Sequence, residues 1–324
     1  MRLRDVAVAL AIVIAGLAGA RAETYPSKPI TMIVPFPAGG PTDTVARIMS
    51  EHMSRTLGQS FLVETVTGAG ATIGVGRVVS APPDGYTVIV GNWSSHVGSP
   101  ALYPVSWNPV KDLEPVIRLP ISSLMIVGKE ALPAKNAKEL IAWLKANPDK
   151  ASAASVGAGS GAHVCGLYFG EKTQTKFQFV FYRGGAPAMQ DMLAGTIDIM
   201  CAEASQTLAH VQAGKIKAFA VMGRKHYAGL PDVPTMEEMG ITGMDISFWH
   251  GLWAPKGTPK EIVDKLNDAA RKALADPVVQ KRVAALGMTI PEQNELTPKA
   301  LHDFHQAELD KWWPIIKSYG IKVQ

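Results

Sequence analysis

The stretch Ile30-Thr31-Met32-Ile33-Val34-Pro35-Phe36-Pro37-Ala38-Gly39-Gly40-Pro41-Thr42-Asp43 joins an apolar run to a helical pattern through a loop of proline and glycine. Its first five residues are β-branched or apolar, which predicts a buried strand over 30–34. Thr42 or Asp43 is the predicted N-cap of the following helix, and Gly58 is its predicted end. A strand, a loop and a helix in this order form the repeating unit of an α/β fold.

The same unit recurs along the chain. Further strands are predicted over 61–66, 86–90, 124–127, 153–156, 177–181, 197–201, 219–222 and 246–253, many of them followed by a helical pattern. We therefore expect two α/β lobes, each a mainly parallel sheet flanked by helices, with the chain crossing between them twice at a hinge. Residues 23–121 and 248–324 form the predicted lobe 1, and residues 122–247 form the predicted lobe 2.

The first 22 residues have the pattern of a secretory signal peptide. Arg2 and Arg4 precede an apolar run over 6–20, and Ala20-Arg21-Ala22 supplies the small-x-small pattern of a cleavage site before Glu23. The apolar run is short for a membrane span, so an uncleaved anchor is the less favoured alternative. The sequence therefore predicts export.

Export would place the chain in an oxidising compartment. The two cysteines of the sequence, Cys165 and Cys201, could then form one disulfide. Two buried free thiols are the alternative, because cysteine is often a small core residue.

Composition indicates a globular protein with no affinity for nucleic acid. Of the 324 residues, 47% are hydrophobic and 19% are charged, which is ordinary for a folded chain. Thirty-two Lys and Arg against 28 Asp and Glu give a formal charge of +4, spread along the sequence. A nucleic-acid partner is not expected, because the basic residues form no cluster.

Sequence motifs for catalysis, nucleotide binding or metal binding are weak or absent. The run Gly157-Ala158-Gly159-Ser160-Gly161-Ala162 fits G-x-G-x-x-A, but the strand after it supplies no acidic residue for a ribose. Alanines flank Ser160 where a nucleophile elbow has glycines, so Ser160 is more readily a helix cap. No sequence pattern for a metal site or a P-loop is present. A secreted hydrolase using Ser160 and His163 is kept as an alternative.

A glycine-bearing loop leads from a strand toward a helix at four places. These loops cover 37–43, 68–74, 157–163 and 183–188. Such loops turn backbone N–H groups and the positive end of a helix dipole toward one point, which favours a small anion such as a carboxylate. The alternative for any single loop is that its glycines only make a tight turn. Four loops in two lobes favour a ligand in the cleft between them.

Several runs together resemble the substrate-binding proteins of tripartite tricarboxylate transporters, the Bug or TctC family. They fall in the family's order along the whole chain after residue 23: Tyr25-Pro26-Ser27-Lys28-Pro29-Ile30, the 34–43 run quoted above, Pro83-Asp84-Gly85-Tyr86-Thr87, Pro100-Ala101-Leu102-Tyr103-Pro104, Tyr182-Arg183-Gly184-Gly185-Ala186-Pro187-Ala188, Pro231-Asp232-Val233-Pro234-Thr235 and Ala254-Pro255-Lys256-Gly257-Thr258-Pro259. The resemblance implies a monomeric periplasmic clamshell that binds an organic acid without chemistry or cofactor and delivers it to membrane permease subunits.

The resemblance also implies which residues hold the carboxylate, partly through ordered water. They are Phe36, Pro37, Ala38, Gly39 and Asp43 in lobe 1, and Gly159, Ser160, His163, Tyr182 and Gly184 in lobe 2. A carboxylate at Asp43 repels an anion, so we expect it to cap its helix and to hold waters. Phe36 is expected to pack on the carbon skeleton of the ligand, with core packing as the alternative.

Two departures from the family pattern bear on the ligand. The run Glu64-Thr65-Val66-Thr67 stands where the family commonly has an Asn-Arg-Pro-like run, so the resemblance does not imply a cationic contact there. The run after the third strand contains Asn92, Trp93 and His96, which are candidates for an aromatic cleft wall suited to a ring or a long hydrocarbon. Packing of Trp93 inside lobe 1 is the alternative.

Arg183 is a candidate partner for a second carboxylate of the ligand, with a solvated surface arginine as the alternative. The sequence thus predicts a periplasmic solute-binding protein for a di- or aromatic carboxylate. Besides the hydrolase, a sensor that presents its closed form to a membrane receptor is an alternative that the sequence leaves open.

Overall fold

The computed structural model describes residues 25–148, 150–223, 226–244 and 246–323. The predicted signal peptide, residues 1–22, lies outside the described residues. The strands are β1 (Ile30–Val34), β2 (Phe61–Thr65), β3 (Thr87–Asn92), β4 (Leu113–Lys129), β5 (Ser152–Ser155), β6 (Gln178–Phe181), β7 (Ile199–Glu203), β8 (Ile216–Val221), β9 (Ser247–Pro255) and β10 (Met288–Thr289). The α-helices are α1 (Pro41–Leu57), α2 (Thr72–Val79), α3 (Ala137–Ala146), α4 (Gly161–Thr173), α5 (Gly185–Leu193), α6 (Ala204–Gln212), α7 (Lys260–Ala275), α8 (Pro277–Ala285) and α9 (Pro298–Ser318).

The strands form one curled sheet in the order β2-β1-β3-β9-β4-β7-β5-β6, and β8 and β10 also pair with β4. Both arms of the sheet are parallel: β1 pairs with β2 and β3, and β5 pairs with β6 and β7. The long strands β4 and β9 join the arms by antiparallel pairing. The predicted α/β class, with parallel strands flanked by helices, is confirmed.

Strand β4 belongs to both arms of the sheet. Its first part pairs with β9, from Leu113 opposite Pro255 to Ser123 opposite Ser247. From Leu124, opposite Glu203, it pairs with β7 instead. The exchange of partners falls beside the predicted crossing of the chain. The lobe boundaries themselves stay a prediction.

Each arm is built on its own apolar packing. In the first arm, β1 is buried at four of its five positions and packs against the side of α1 that carries Val45, Met49 and Met53. These helix positions are three or four residues apart, so they share one face. The second arm packs α5 and β7 around Met192 and Met200. Rigid arms of this kind hold the loops at their strand ends in place.

Two helices differ from the sequence predictions. Helix α1 begins at Pro41 with Gly40 as its N-cap, two to three residues earlier than predicted, because the fixed φ of proline suits the first helical position. Helix α6 was not predicted. It buries only Ala204 and Thr207, so its sequence carries little helical apolar periodicity.

Candidate functional site

The candidate site lies at the carboxyl ends of β1, β3, β5, β6 and β7, where each strand gives way to a helix or a turn. In an open α/β sheet, ligands bind at the carboxyl ends of the strands. Strands β5, β6 and β7 run opposite to β1 and β3, so the candidate site is built from two opposed sets of strand ends. Close contacts join the loops of the two arms. The backbone N–H of Gly161 donates to Ser94 Oγ at 2.9 Å, and the backbone of Gly98 lies directly against the Gly159 carbonyl.

The loop after β1 places its residues at the rim. Phe36 is half-buried and Pro37, Ala38 and Gly39 are exposed. Gly39 has a φ of 79°, a conformation that favours glycine. The loop therefore presents apolar side chains and backbone at the carboxyl end of β1.

Asp43 fastens this loop to α1. Its side chain is 2% exposed, and Oδ2 accepts hydrogen bonds from the Gly39 N–H and from Arg47 Nε, both at 2.9 Å. Burial by itself raises the pKa of the Asp43 carboxyl, but Arg47 and the Gly39 N–H outweigh it and hold the pKa below its usual value. Asp43 Oδ1 has no hydrogen-bond partner among the described residues. From the first turn of α1, Asp43 therefore holds the preceding loop in place through the hydrogen bond with Gly39.

Asn92 organises the turn after β3. Its Nδ2 donates to Thr42 Oγ1 at 2.9 Å, and its Oδ1 accepts from the backbone N–H groups of Ser94 and Ser95. The side chain is buried, and these contacts tie α1 to the π-helical turn Ser94–Gly98. The structure therefore gives Asn92 a positioning role beside the cleft.

Trp93 and His96 lie in the core and do not form a cleft wall. Both are 0% exposed. The Trp93 ring meets Trp312 edge-on at 5.6 Å, and the His96 ring stacks on Trp253 at 3.8 Å. The structure corrects the expectation that these two side chains face the ligand, because the π-helical turn directs them onto α9 and β9. Burial also holds the pKa of His96 well below its usual value.

The loop after β5 is shaped by glycine and capped by serine. Gly157 and Gly159 have φ values of 118° and 75°. Ser160 is the N-cap of α4, and its Oγ accepts from the His163 backbone N–H at 3.2 Å. His163 Nδ1 accepts from the Gly159 N–H at 3.1 Å, and burial lowers the His163 pKa to about 4. His163 is therefore neutral at pH 7, with its proton on Nε2.

This geometry bears on the hydrolase alternative. A serine nucleophile needs its hydroxyl hydrogen-bonded to the imidazole of the base. Here the Ser160 hydroxyl meets a backbone N–H and Ser155 Oγ, while the His163 ring nitrogen is occupied by its own loop. Both side chains therefore make hydrogen bonds within the loop after β5 and the first turn of α4.

The loop after β6 lies at the other rim. The Tyr182 hydroxyl donates to Asp191 Oδ2 at 2.6 Å, which ties the loop to α5. The Arg183 side chain is exposed, and Gly184, with a φ of 143°, is the N-cap of α5. The Tyr182 hydroxyl is thus engaged within the protein, and Arg183 extends from the rim toward solvent.

Glu203 is a site residue that the sequence interpretation missed. It ends β7, precedes α6 and lines a cavity of about 30 Å³ together with Ala162, Gln206 and Phe248. Burial raises the Glu203 pKa to about 8, and the nearby Ser122 and Ser205 hydroxyls offset part of this rise. The sequence signal that could have identified Glu203 is an acidic residue directly between an apolar strand and a helix.

A disulfide lies behind this cavity. It joins Cys165 of α4 to Cys201 of β7, with the Cα atoms 6.2 Å apart. Cys201 is also one of the cavity-lining residues. The bond therefore fixes the start of α4 and the end of β7 relative to each other.

Neither a metal site nor a membrane-spanning helix is found within the described ranges. No group of three or more His, Cys, Asp or Glu residues in this part of the chain could hold a metal ion. In the same residues, no helix combines the length and the apolar character needed to cross a bilayer.

Comparison with known proteins places the chain in a family. The model of the tripartite tricarboxylate transporter family receptor (TctC) matches residues 45–321. A UPF0065 protein from the TAR-I ttuE-ttuC' intergenic region of Agrobacterium vitis is 37% identical, over 99% of this chain and 92% of that protein. The periplasmic binding protein BugD is 40% identical with a TM-score of 0.84, covering 93% of this chain and all of that structure. MatC from Rhodopseudomonas palustris with bound malate is 34% identical with a TM-score of 0.84, covering 90% of this chain and all of that structure. The chain therefore belongs to the TctC family of tripartite tricarboxylate transporter receptors.

Proposed function

We propose that this protein is a periplasmic solute-binding protein that captures a small organic carboxylate between its two lobes and releases it unchanged. One observation carries the proposal: α1 in the first arm and α5 and α6 in the second all begin at the carboxyl ends of parallel strands, without a side-chain cap in the described structure. Their first N–H groups are thus free to meet an anion. Malate bound to the family member MatC supports a carboxylate as the ligand.

The proposed mechanism is hinge closure. Residues 23–121 and 248–324 would form one lobe and residues 122–247 the other, with β4 and β9 as the crossing strands. The contacts of Gly161 with Ser94 and of Gly98 with Gly159 would then form only when the lobes close. A ligand that touches both lobes stabilises the closed state by the contacts it makes there alone.

Export and delivery complete the proposal. The signal-peptide pattern of residues 1–22 supports a periplasmic location. The closed, ligand-bound monomer would dock on the membrane permease subunits of a tripartite tricarboxylate transporter, as the family name suggests. A strain lacking the gene should lose uptake of the acid, whereas loss of a transcriptional response with normal uptake would favour a sensor.

The first test is thermal unfolding of the protein without residues 1–22, refolded to remove carried-over ligand. The panel is L-malate, succinate, adipate, citrate and benzoate. A ligand that binds only the folded state adds about 2.7 kcal/mol at about 100 times its Kd, which raises Tm by several degrees. A selective rise in Tm with intact ligand recovered afterwards supports the proposal. Turnover of the ligand that is lost in Ser160→Ala would instead establish the hydrolase alternative.

A further inference from the structure

Strand β6 exposes an aromatic side chain at its carboxyl end. Phe181, the last residue of the strand, is 53% exposed. A single apolar residue on a surface needs no explanation, but a group of aromatic rings beside a candidate site does. Phe181 belongs to such a group, which also contains Phe179 of β6 and His163 of α4. We call these three rings the aromatic group.

Packing against α4 fixes the orientation of the aromatic group. A Cβ at Gly166 of α4 would lie 2.9 Å from the Phe179 ring, so the glycine lets this ring approach the helix closely. The Phe181 ring lies nearly parallel to that of Phe179, with an interplanar angle of 21° and ring centroids 6.2 Å apart. The His163 ring meets both edge-on, at 5.1 Å from Phe181 and 4.6 Å from Phe179. Two rings thus support Phe181, while about half of its surface stays open.

A path of direct contacts connects the aromatic group to the contact between the two arms. His163 Nδ1 accepts from the Gly159 N–H at 3.1 Å, and the Gly159 carbonyl lies against the backbone of Gly98 in the first arm. Along this path His163 and Gly159 alone separate Phe181 from the first arm. The aromatic group is therefore continuous with the candidate site at the carboxyl ends of β5 and β6.

The aromatic group combines an apolar surface with a hydrogen-bond donor. Because His163 Nδ1 is an acceptor within its own loop, the Nε2–H is the donor that the neutral ring offers. Phe179 and Phe181 supply hydrocarbon alone. Apolar walls with a few placed polar groups bind a ligand that is itself apolar over most of its surface. A ring with one attached carboxylate has this character, whereas succinate is polar at both ends.

We propose that Phe181 is a specificity-determining residue that packs against the ring of an aromatic carboxylate, with the carboxylate directed at His163 and the loop after β5. This inference rests on the proposed function and names the class of acid. Flat rings gain most from such a neighbour, because aromatic pairs add interaction energy beyond the area that they bury. The wild type should therefore bind benzoate more tightly than an aliphatic acid.

The test is titration calorimetry at about pH 7.5, where carboxylic acids are ionised. The ligands are benzoate, cyclohexanecarboxylate, succinate and adipate. Cyclohexanecarboxylate has the carboxylate and the ring size of benzoate but no flat aromatic face, so comparing the two separates aromatic packing from apolar burial. We expect the lowest Kd for benzoate, a higher Kd for cyclohexanecarboxylate and the highest values for the two diacids.

Phe181→Ala should raise the Kd for benzoate about tenfold and leave the Kd values for succinate and adipate unchanged. Phe181→Tyr keeps the ring and should bind benzoate as the wild type does. Val180→Ala is the matched control, because Val180 is also exposed but points to the opposite face of β6. It should leave all four Kd values unchanged. If Phe181→Ala does not fold, Phe181→Leu gives the same comparison, because leucine keeps an apolar side chain and lacks the ring.

A purely structural Phe181 would give a different result. Its replacement would raise the Kd values for all acids by the same factor, or leave benzoate binding unchanged. Either result, or a wild type that binds succinate or adipate more tightly than benzoate, overturns the role of Phe181 and leaves the proposed function in place. If the folded wild type binds none of these acids, nor malate or citrate, both proposals are overturned.

Discussion

At the scale of a single residue, Asp43 decides the shape of the first loop. We expect Asp43→Ala to lower the free energy of unfolding by about 1–2 kcal/mol, because the Gly39 N–H loses its acceptor and Arg47 loses its ion partner. Ligand affinity should fall as well, since residues 36–39 would no longer be held at the cleft rim. Urea denaturation and calorimetry measure the two effects.

Arg47→Ala is the control for this prediction. The Arg47 side chain is 53% exposed, so removing it should cost well under about 1 kcal/mol and leave the loop bonded to Asp43. Equal losses of affinity in the two variants would mean that the ion pair, and not the hydrogen bond to Gly39, positions the loop.

Local patterns identified some of these residues and missed others. Ser160 was predictable as a helix cap, because a cap depends on the few residues that follow it. For Trp93 the sequence left a cleft wall and core packing open, and Glu203 was missed, since the burial of each depends on segments distant in sequence. Trp93 is buried by Trp312 of α9, and Glu203 by β4 and β9.

At the scale of the elements, the contact between the π-helical turn and the loop before α4 can be tested at Gly98. A Cβ there would lie 2.4 Å from the Gly159 carbonyl oxygen and 2.8 Å from the Trp93 ring, although the backbone of Gly98 suits alanine. We expect Gly98→Ala to weaken ligand binding by about tenfold or more, because the two segments must separate. Calorimetry with the best ligand of the panel measures the loss.

Gly223→Ala is the matched control, because a Cβ there would meet nothing within 4 Å. It should bind as the wild type does. If Gly98→Ala also binds normally, the contact with Gly159 is not part of the ligand-bound state, and the hinge-closure mechanism loses its support.

The disulfide between α4 and β7 should stabilise the second arm. Its cysteines are 36 residues apart, so the loop-entropy model gives about 3–4 kcal/mol. We expect the double variant Cys165→Ala, Cys201→Ala to unfold at a clearly lower urea concentration than the oxidised wild type. Dithiothreitol should move the wild type toward the variant and leave the variant unchanged. Coincident transitions for oxidised and reduced wild type would contradict this.

Among the elements, the sequence revealed the parallel units better than the strands that join them. The strand over 30–34 was predicted with the bounds that the structure has, since strong local signals bracket it. The 17-residue β4 was predicted only over 124–127. Its other residues pair with β9, more than a hundred residues away, and such pairing leaves no local pattern.

At the scale of the whole molecule, four buried histidines make the fold sensitive to acid. His163, His250 and His305 have pKa values lowered to about 4 by burial, and burial lowers that of His96 as well. In the unfolded chain each titrates near pH 6.5. Between about pH 6.5 and pH 4 the unfolded state therefore binds more protons, and the free energy of unfolding falls by up to about 1.4 kcal/mol per pH unit for each histidine.

Glu203 acts in the opposite direction in part of this range. Its pKa is about 8 in the folded protein, above the value in an unfolded chain, so it stabilises the fold at low pH and loses that effect as the pH rises through 8. One carboxyl cannot offset four histidines, so we expect a net loss of stability from pH 6.5 to 4, measured by urea denaturation at fixed ionic strength. His305→Phe should reduce the net slope by about a third, because it removes one of the four histidines that Glu203 partly opposes and keeps an aromatic ring against Trp249. A slope equal to that of the wild type in His305→Phe would mean that His305 is already protonated in the folded protein.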